Sequence, residues 1–383
     1  MTHKSHIEKL IHNLCPNGVE YKELGELCII LDSKRKPVSK GLRSKGIYPY
    51  YGANGILDYV GDYIFEGTYL LLGEDGSVIN EDKSPVLHWA VGKIWVNNHA
   101  HVLEEREDVA KLRYLFYVLQ TIDVSDIVRG TPPKINQQNL RGIQLPLPPM
   151  PVQEEIVRIL DAFANLIENI DTEIKERERQ LELSRKVLLY EIKYKRVSLS
   201  SLFNVRGGYT PSTKNPAFWT ESDGYPWFTM DDIRKNGRKL SVSTRQITAN
   251  AIKGKGLFPA GTLVFATSAT IGEHALLMCP ALTNQRFTAI IPKDDNVYMP
   301  FYYHYGYVID GWCLQHIKRG GFNSVDMDGF INLPIPLPPL AEQRAITEKL
   351  DTIEAFIANL KEERALRQQQ YEYYREYLIN LLK

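Results

Sequence analysis

The chain carries a copy of part of itself. Ile143-Gln-Leu-Pro-Leu-Pro-Pro149 and Leu333-Pro-Ile-Pro-Leu-Pro-Pro339 lie 190 positions apart. The same offset carries Gln153 onto Gln343, Ile156 onto Ile346 and Leu160-Asp161 onto Leu350-Asp351. It continues through Glu173/Glu363, Arg177/Arg367, Gln180/Gln370, Arg185/Arg375 and Leu188/Leu378, and upstream it relates Arg129-Gly130 to Arg319-Gly320. Identities held at one offset over about sixty positions mark a duplicated unit. The chain therefore folds as two like halves.

Each copy has one plan. A proline-rich segment blocks helix, because proline lacks the N–H and its ring clashes with the preceding turn. A long helix follows, with Glu154 and Glu155, or Glu342, in its first turn, where negative charge suits the helix dipole. In the first helix Ile156, Leu160, Phe163, Ile167, Ile170 and Ile174 alternate spacings of four and three, and Arg177, Leu181, Ser184 and Leu188 continue the series. In the second, Ile346, Leu350, Ile353, Ile357 and Leu360 match it, followed by Arg364, Arg367, Tyr371, Tyr374 and Leu378. This spacing lines one seam, as in a coiled coil. The helices are predicted to run from about 152 to 193 and from about 341 to 382, each roughly 60 Å long at 1.5 Å per residue. The nearest partner for each stripe is the other copy, with Arg177 and Arg364 as polar positions that fix register. The competing arrangement packs each stripe on its own globular domain.

The segments before the helices, 21–142 and 194–330, are rich in Gly, Tyr, Trp, Phe and β-branched residues. Runs such as Thr68-Tyr-Leu-Leu-Leu72, Lys93-Ile-Trp-Val96 and Thr262-Leu-Val-Phe-Ala266 read as strands between glycine-marked turns, with one helix near Val109–Thr121. The expected fold class is α+β: two mostly-β domains, each followed by a long helix. The expected boundaries are 1–142 and 194–330 for the β-rich domains, and 143–193 and 331–383 for the proline-rich starts and helices.

Composition excludes several classes. Hydrophobic residues make up 44% and charged residues 24%, which supports a globular core in each half. Cys15, Cys28, Cys279 and Cys313 form no CxxC pair and no zinc spacing, so they read as free thiols in a reducing cytosol. The N-terminus is polar and no apolar run reaches membrane-span length, so the expected location is cytoplasmic. Net charge is zero, with 46 Lys+Arg against 46 Asp+Glu, which by itself argues against a nucleic-acid binder. The distribution is uneven: 194–330 holds 15 basic and 10 acidic residues, whereas 143–193 holds 7 and 10. A near-neutral 21–142 still contains the basic stretch Lys34-Arg35-Lys36, Lys40, Arg43 and Lys45. A partner protein is a second source of the positive charge that phosphate binding needs.

Catalytic motifs are missing. There is no GxxxxGK[ST] phosphate loop. Asn215-Pro-Ala-Phe218 has the outline of an amino-methyltransferase motif, but its third residue is alanine and no glycine-rich cofactor turn precedes it. Gly254-Lys-Gly256 lacks a third glycine and runs into Pro259. His99 and His101 are too few ligands for a metal. No catalytic, cofactor-binding or metal-ligating residue is assigned.

The repeated helix starts resemble those of the specificity subunits of Type I restriction–modification systems. The residues that carry the resemblance are Leu145-Pro-Leu-Pro-Pro149 with Gln153-Glu-Glu-Ile156, and Ile335-Pro-Leu-Pro-Pro-Leu-Ala-Glu-Gln-Arg-Ala-Ile346. Tyr48-Pro-Tyr-Tyr-Gly-Ala-Asn-Gly55 with Gly67-Thr68 is similar to common segments of that family's target-recognition domains. Gly207-Gly-Tyr-Thr-Pro-Ser212, Asn215-Pro-Ala-Phe-Trp219, Gly261-Thr262 and Thr267-Ser-Ala-Thr-Ile-Gly272 are similar to another common version. The resemblance covers essentially the whole chain. It implies two target-recognition domains that each bind half of a split double-stranded DNA sequence, and an antiparallel coiled coil that sets the unread gap. It also implies two methyltransferase subunits docked on the helices and carrying S-adenosylmethionine. Restriction (motor-nuclease) subunits would join them, with ATP and Mg. The chain itself would be a non-catalytic subunit.

On that reading Lys34, Arg35, Lys36, Lys40, Arg43 and Lys45 form a flexible basic loop suited to phosphates or guanine edges. The alternative is a solvated loop. Arg129 and Lys134 flank the rigid turn Gly130-Thr-Pro-Pro133. Arg319 and Asn323 belong to its counterpart, where glycine lets backbone approach phosphate. Tyr209, Thr210, Lys214, Thr267, Ser268 and Thr270 are candidates for base-edge contact, with structural hydroxyl roles as the alternative. The two recognition segments differ, so an asymmetric target is expected. Two rival functions stand beside this one: a self-sufficient DNA methyltransferase or nuclease, and a coiled-coil scaffold that does not bind duplex DNA.

Overall fold

The computed structural model describes residues 5–190, 193–318 and 323–383. It comprises two compact units, Met1–Thr172 with Glu362–Lys383, and Glu173–Lys361. The divisions fall inside the two long helices, Met150–Arg185 and Leu340–Asn380. Each unit therefore contains one β-rich segment and part of both helices.

In the first unit six strands form one sheet, in the order Cys28–Ile30, Ala100–Glu105, Phe65–Gly73, Leu87–Val96, Lys45–Gly52 and Gly55–Val60. Neighbours are antiparallel except Lys45–Gly52 against Leu87–Val96. The central strand shows why the run Tyr69-Leu70-Leu71-Leu72 is apolar throughout. Side chains alternate between faces. Leu70 and Leu72 enter the core built on helix Leu112–Leu119, while Tyr69 and Leu71 enter a second core with Phe65, Ile94 and Val96.

The second unit repeats this logic on a different frame. Phe203–Gly207, Phe287–Pro292, Leu263–Ala266, His274–Leu277 and Lys239–Leu240 make a five-stranded sheet. Trp219–Thr220, Gln246–Ile247, Tyr225–Phe228 and Leu282–Thr283 make a four-stranded one. Leu263 and Phe265 face the core under helix Met299–Gln315, and Val264 and Ala266 face the core shared with Trp227, Phe228 and Phe258.

The proline-rich segments are short strands. Gln144–Leu147 pairs antiparallel with Glu20–Glu23, and Pro334–Pro336 with Arg196–Ser198. Two-stranded ladders leave room for residues that cannot donate. Just inside each helix start a glutamine is buried. Gln153 accepts from Lys111 N at 2.9 Å and donates to Pro148 O at 2.9 Å. Gln343 accepts from Tyr298 N at 2.9 Å and donates to Pro338 O at 2.9 Å. Tyr114 and Tyr302 add equivalent bonds to Pro146 O and Pro336 O, at 2.7 and 2.9 Å. Each recognition segment is thereby fastened to its long helix by the same repeated residues.

Within each unit the two helices run antiparallel. In the first, Phe163 stacks on Tyr374 at 5.1 Å, and Asp171 receives both Nε and Nη2 of Arg364, at 3.1 and 3.3 Å. In the second, Glu178 meets Lys361 at 2.7 Å, Arg177 lies over the Phe356 ring, and Arg185 bonds Glu354. Of the seam residues, Ile156, Leu160, Ile167, Ile170, Ile174, Leu181, Ile346, Leu350, Ile357 and Leu378 are buried. Phe163, Leu188, Ile353, Leu360 and Tyr371 are half-buried. The seam combines both packing arrangements considered from sequence. Ile156 and Leu160 sit in the core with Tyr114 and Leu115, and Ile346 and Leu350 in the core with Tyr302 and Tyr305.

The first α-helix runs to Arg185 and widens into a π turn over Lys186–Tyr190, the last described residues before 193. The chain must then turn back to pair Arg196–Ser198. An additional helix, His6–Leu14, is closed by a Ser5/Glu8 capping box and packs Ile7 beside Leu378, Ile379 and Leu382. Among the described residues no helix is long and apolar enough to cross a membrane.

Candidate nucleic-acid interface

Hydrogen bonds tie the basic stretch of the first unit to neighbouring strands. Trp95 Nε1 donates to Lys36 O at 2.6 Å, and Val38 N donates to the Tyr50 hydroxyl at 2.9 Å. Two of its six cations, Arg35 and Arg43, are half-buried and engaged within the unit. Arg35 donates to Glu74, 2.5 Å, and to Ala100 O, 2.8 Å. Arg43 lies over the Tyr50 ring at 4.2 Å, bonds Asp58 at 3.2 Å and donates to Val38 O. Asp58 and Ala100 lie on strands, and Glu74 directly follows one. Lys34, Lys36, Lys40 and Lys45 are exposed.

Arg35 belongs to a buried hub that organises the surrounding loops. His101 Nδ1 meets Asp32 at 2.6 Å, and its Nε2 meets Ile135 O at 2.8 Å. Gln137 donates to Asp32 at 2.9 Å, and Lys134 pairs with Glu74 at 3.0 Å. Burial alone would raise the Asp32 pKa, but His101, Gln137 and Arg35 outweigh it and hold the carboxyl below its usual range. Glu74 is likewise held low against burial by Arg35 and Lys134. Asp32, Glu74 and His101 have the donor set of a metal site. Arg35 and Lys134 already supply its positive charge.

The hub draws the turn 129–134 onto the loop after the central strand. Arg129 and Lys134 exchange backbone hydrogen bonds of 2.9 and 2.8 Å, and Lys134 bridges to Asp75. Lys134 is thus partly engaged, whereas the Arg129 side chain is exposed.

In the second unit the equivalent loop meets Asn323 and Ser324. Ser268 bridges to Ser324, and Ala269 N donates to Asn323 O at 3.2 Å. Thr210 bonds Gln285 at 2.5 Å, and Lys214 and Asn323 are exposed. Thr270 and Ser268 are half-buried in the turn. Tyr209 is half-buried and Thr267 is buried. The Tyr209 hydroxyl lies between Ala251 O and Lys253 N, and Thr267 bonds Thr288 at 2.8 Å. These groups satisfy buried backbone and strand ends, the structural role weighed against base contact. Arg319 lies outside the described residues. Asn215 accepts from Ala217 N at 3.1 Å and opens a short 3₁₀ turn.

In both units the loop after a central strand thus meets a residue related by the 190-residue offset, Lys134 in one and Ser324 in the other, with different side chains at the rim. The family model for the type I restriction modification DNA specificity domain matches twice, over residues 16–178 and 191–366. The chain belongs to that family. It carries the DNA-target specificity of a type I restriction–modification system. It is 31% identical to a putative type I restriction enzyme specificity subunit of Haemophilus influenzae, covering 98% of both chains. It is 28% identical to the EcoR124I/EcoR124II specificity subunit of Escherichia coli, covering 100% of this chain and 98% of that one. The EcoprrI specificity subunit of Escherichia coli is 42% identical over 196 residues, 48% of this chain and 49% of the relative. In fold the specificity-family chain is similar to the S subunit from M. genitalium, with TM-score 0.60 at 14% identity and 96% coverage of both chains.

Proposed function

We propose that each β-rich segment of this specificity subunit reads one half of a bipartite, asymmetric duplex target, and that the paired helices set the unread gap. Two methyltransferase subunits dock on the helices and bring S-adenosylmethionine. Restriction subunits join with ATP and Mg. The chain works in the cytoplasm and performs no chemistry itself. The observation that carries this reading is the repeated fastening of recognition segment to helix through Gln153 and Gln343. A reader rigidly fixed to a rod converts rod length into half-site spacing. The differing rims of the two units support an asymmetric target.

The reading makes a geometric prediction. A heptad inserted into both long helices at equivalent positions adds about 10 Å of rod. The methylation motif of the variant complex is expected to keep both half-sites and to change only its gap, by about three base pairs at 3.4 Å each. Altered half-sites with an unchanged gap would contradict it.

A further inference from the structure

Arg245 is an exposed cation that the second unit holds in place but gives no acceptor. Its guanidinium lies over the Trp219 ring, 3.8 Å from the ring centre, and 5.3 Å from that of Trp227. The two indoles meet edge to face at 5.0 Å. Each is pinned through its own N–H: Trp219 Nε1 donates to Ser212 O at 3.1 Å, and Trp227 Nε1 to Tyr209 O at 3.0 Å. The backbone is pinned as well. Arg245 O accepts from Trp227 N at 3.0 Å and from the Ser243 hydroxyl at 2.6 Å. Thr244 donates its N–H and its hydroxyl to buried Asp232, at 2.7 and 2.9 Å, and Gln246 pairs with Thr220 and Pro226 in the sheet. Among the described residues nothing accepts a hydrogen bond from the guanidinium, and no carboxylate pairs with it.

Arg245 and Trp219 line an open cleft of about 690 Å³ together with Thr213, Glu221 and Gln246. Exposed Lys214 directly follows Thr213. The lining decides which part of a duplex the cleft suits. A phosphate calls for converging cations, whereas Glu221, exposed and without an ion-pair partner among the described residues, would repel one. Base edges in the major groove present acceptors and donors side by side. An arginine fork matches O6 and N7 of guanine, and a carboxylate accepts from N4 of cytosine. A guanidinium stacked on an aromatic ring is already oriented for such a contact, so less freedom is lost when it forms.

We propose that Arg245 reads one guanine of the half-site bound by the second unit, donating paired hydrogen bonds to O6 and N7. The inference rests on the DNA-specificity reading above. Guanine supplies the acceptors that the guanidinium lacks within the unit. Trp219 acts as the positioning residue, because it carries the fork without touching the base.

The test uses the chain in complex with its cognate methyltransferase subunit, on duplex carrying the motif that this complex methylates. Arg245→Lys keeps the charge and an aliphatic stem beside Trp219 but loses the fork. It is expected to weaken binding to that duplex about 5–150-fold. The methylation motif should relax at one guanine of one half-site, with the other half-site unchanged. Arg245→Ala should relax the same position. Replacing that guanine with 7-deazaguanine, which lacks the N7 acceptor, should weaken the wild type about tenfold and leave Arg245→Lys unaffected. A variant with the wild-type motif and the wild-type 7-deazaguanine profile overturns the inference. Uniformly weaker binding with an intact motif also overturns it, since that is the mark of a phosphate contact. Absence of sequence-specific binding by the wild-type complex overturns the specificity reading itself, and this inference with it.

Discussion

Asp32→Ala is expected to destabilise the first unit by about 3–5 kcal/mol, the range for removing one partner of a buried ionic cluster. The substitution leaves His101, with no exposed surface, without its Nδ1 partner at 2.6 Å. It also removes the acceptor of Gln137 and a countercharge 3.5 Å from Arg35. The damage should stay local. Hydrogen exchange is expected to accelerate in strand Ala100–Glu105 and the turn 129–134, while strand Leu263–Ala266 of the second unit keeps its protection. Unchanged exchange in both would refute the hub's role.

The same cluster has a signed pH dependence. The folded-state pKa values of Asp32 and Glu74 are depressed. Their contribution is therefore fully present above the unfolded carboxylate range, near pH 4, and is lost as pH falls through the lower folded values. Asp32→Asn keeps the shape and should flatten part of that acid limb in urea denaturation between pH 5 and about 2.

Leu350→Ala has the second large expected effect. Leu350 has no exposed surface and lies in the core with Tyr302, Tyr305 and Ile346. Deleting its side chain removes apolar burial and leaves a cavity, which together cost about 2–5 kcal/mol. Leu350→Met, close in volume, should cost less than about 1.5 kcal/mol. The position does more than fill space. Two helical turns before it, Gln343 fastens the helix to the start of Met299–Gln315. Loosening this base should accelerate exchange in Met299–Gln315 and lower the fidelity of one half-site before the other. A variant as stable as wild type would show that Leu350 does not hold the helix to the domain core.

The helices were legible because two independent patterns agreed on them, the fixed offset and the four-three spacing. Strands such as Phe65–Gly73 were legible because apolar β-formers sat between glycines. Helix Met299–Gln315 was not. Its Phe301, Tyr302, Tyr303, Tyr305 and Ile309 are buried on several sides, so no polar face alternates with an apolar one. The interface was less legible than the fold. Arg35 and Lys36 are neighbours of like charge, yet one enters the hub and the other meets solvent. The difference lies in Glu74 and Ala100, which only the tertiary fold brings near. His101 gave no sequence signal for the same reason, since its partners Asp32 and Ile135 come from distant segments. Gln153 and Gln343 were visible as repeated identities, but their role as buried fasteners required the backbone they bind.

The target sequence is what this chain is proposed to supply to a methyltransferase that lacks one of its own. The most direct measurement expresses the chain with its cognate methyltransferase subunit in a methylation-free host and maps every modified base. One two-part asymmetric motif with a constant gap is expected, present only when this chain is present. A stable complex that produces no motif, or a motif that persists without the chain, would contradict it.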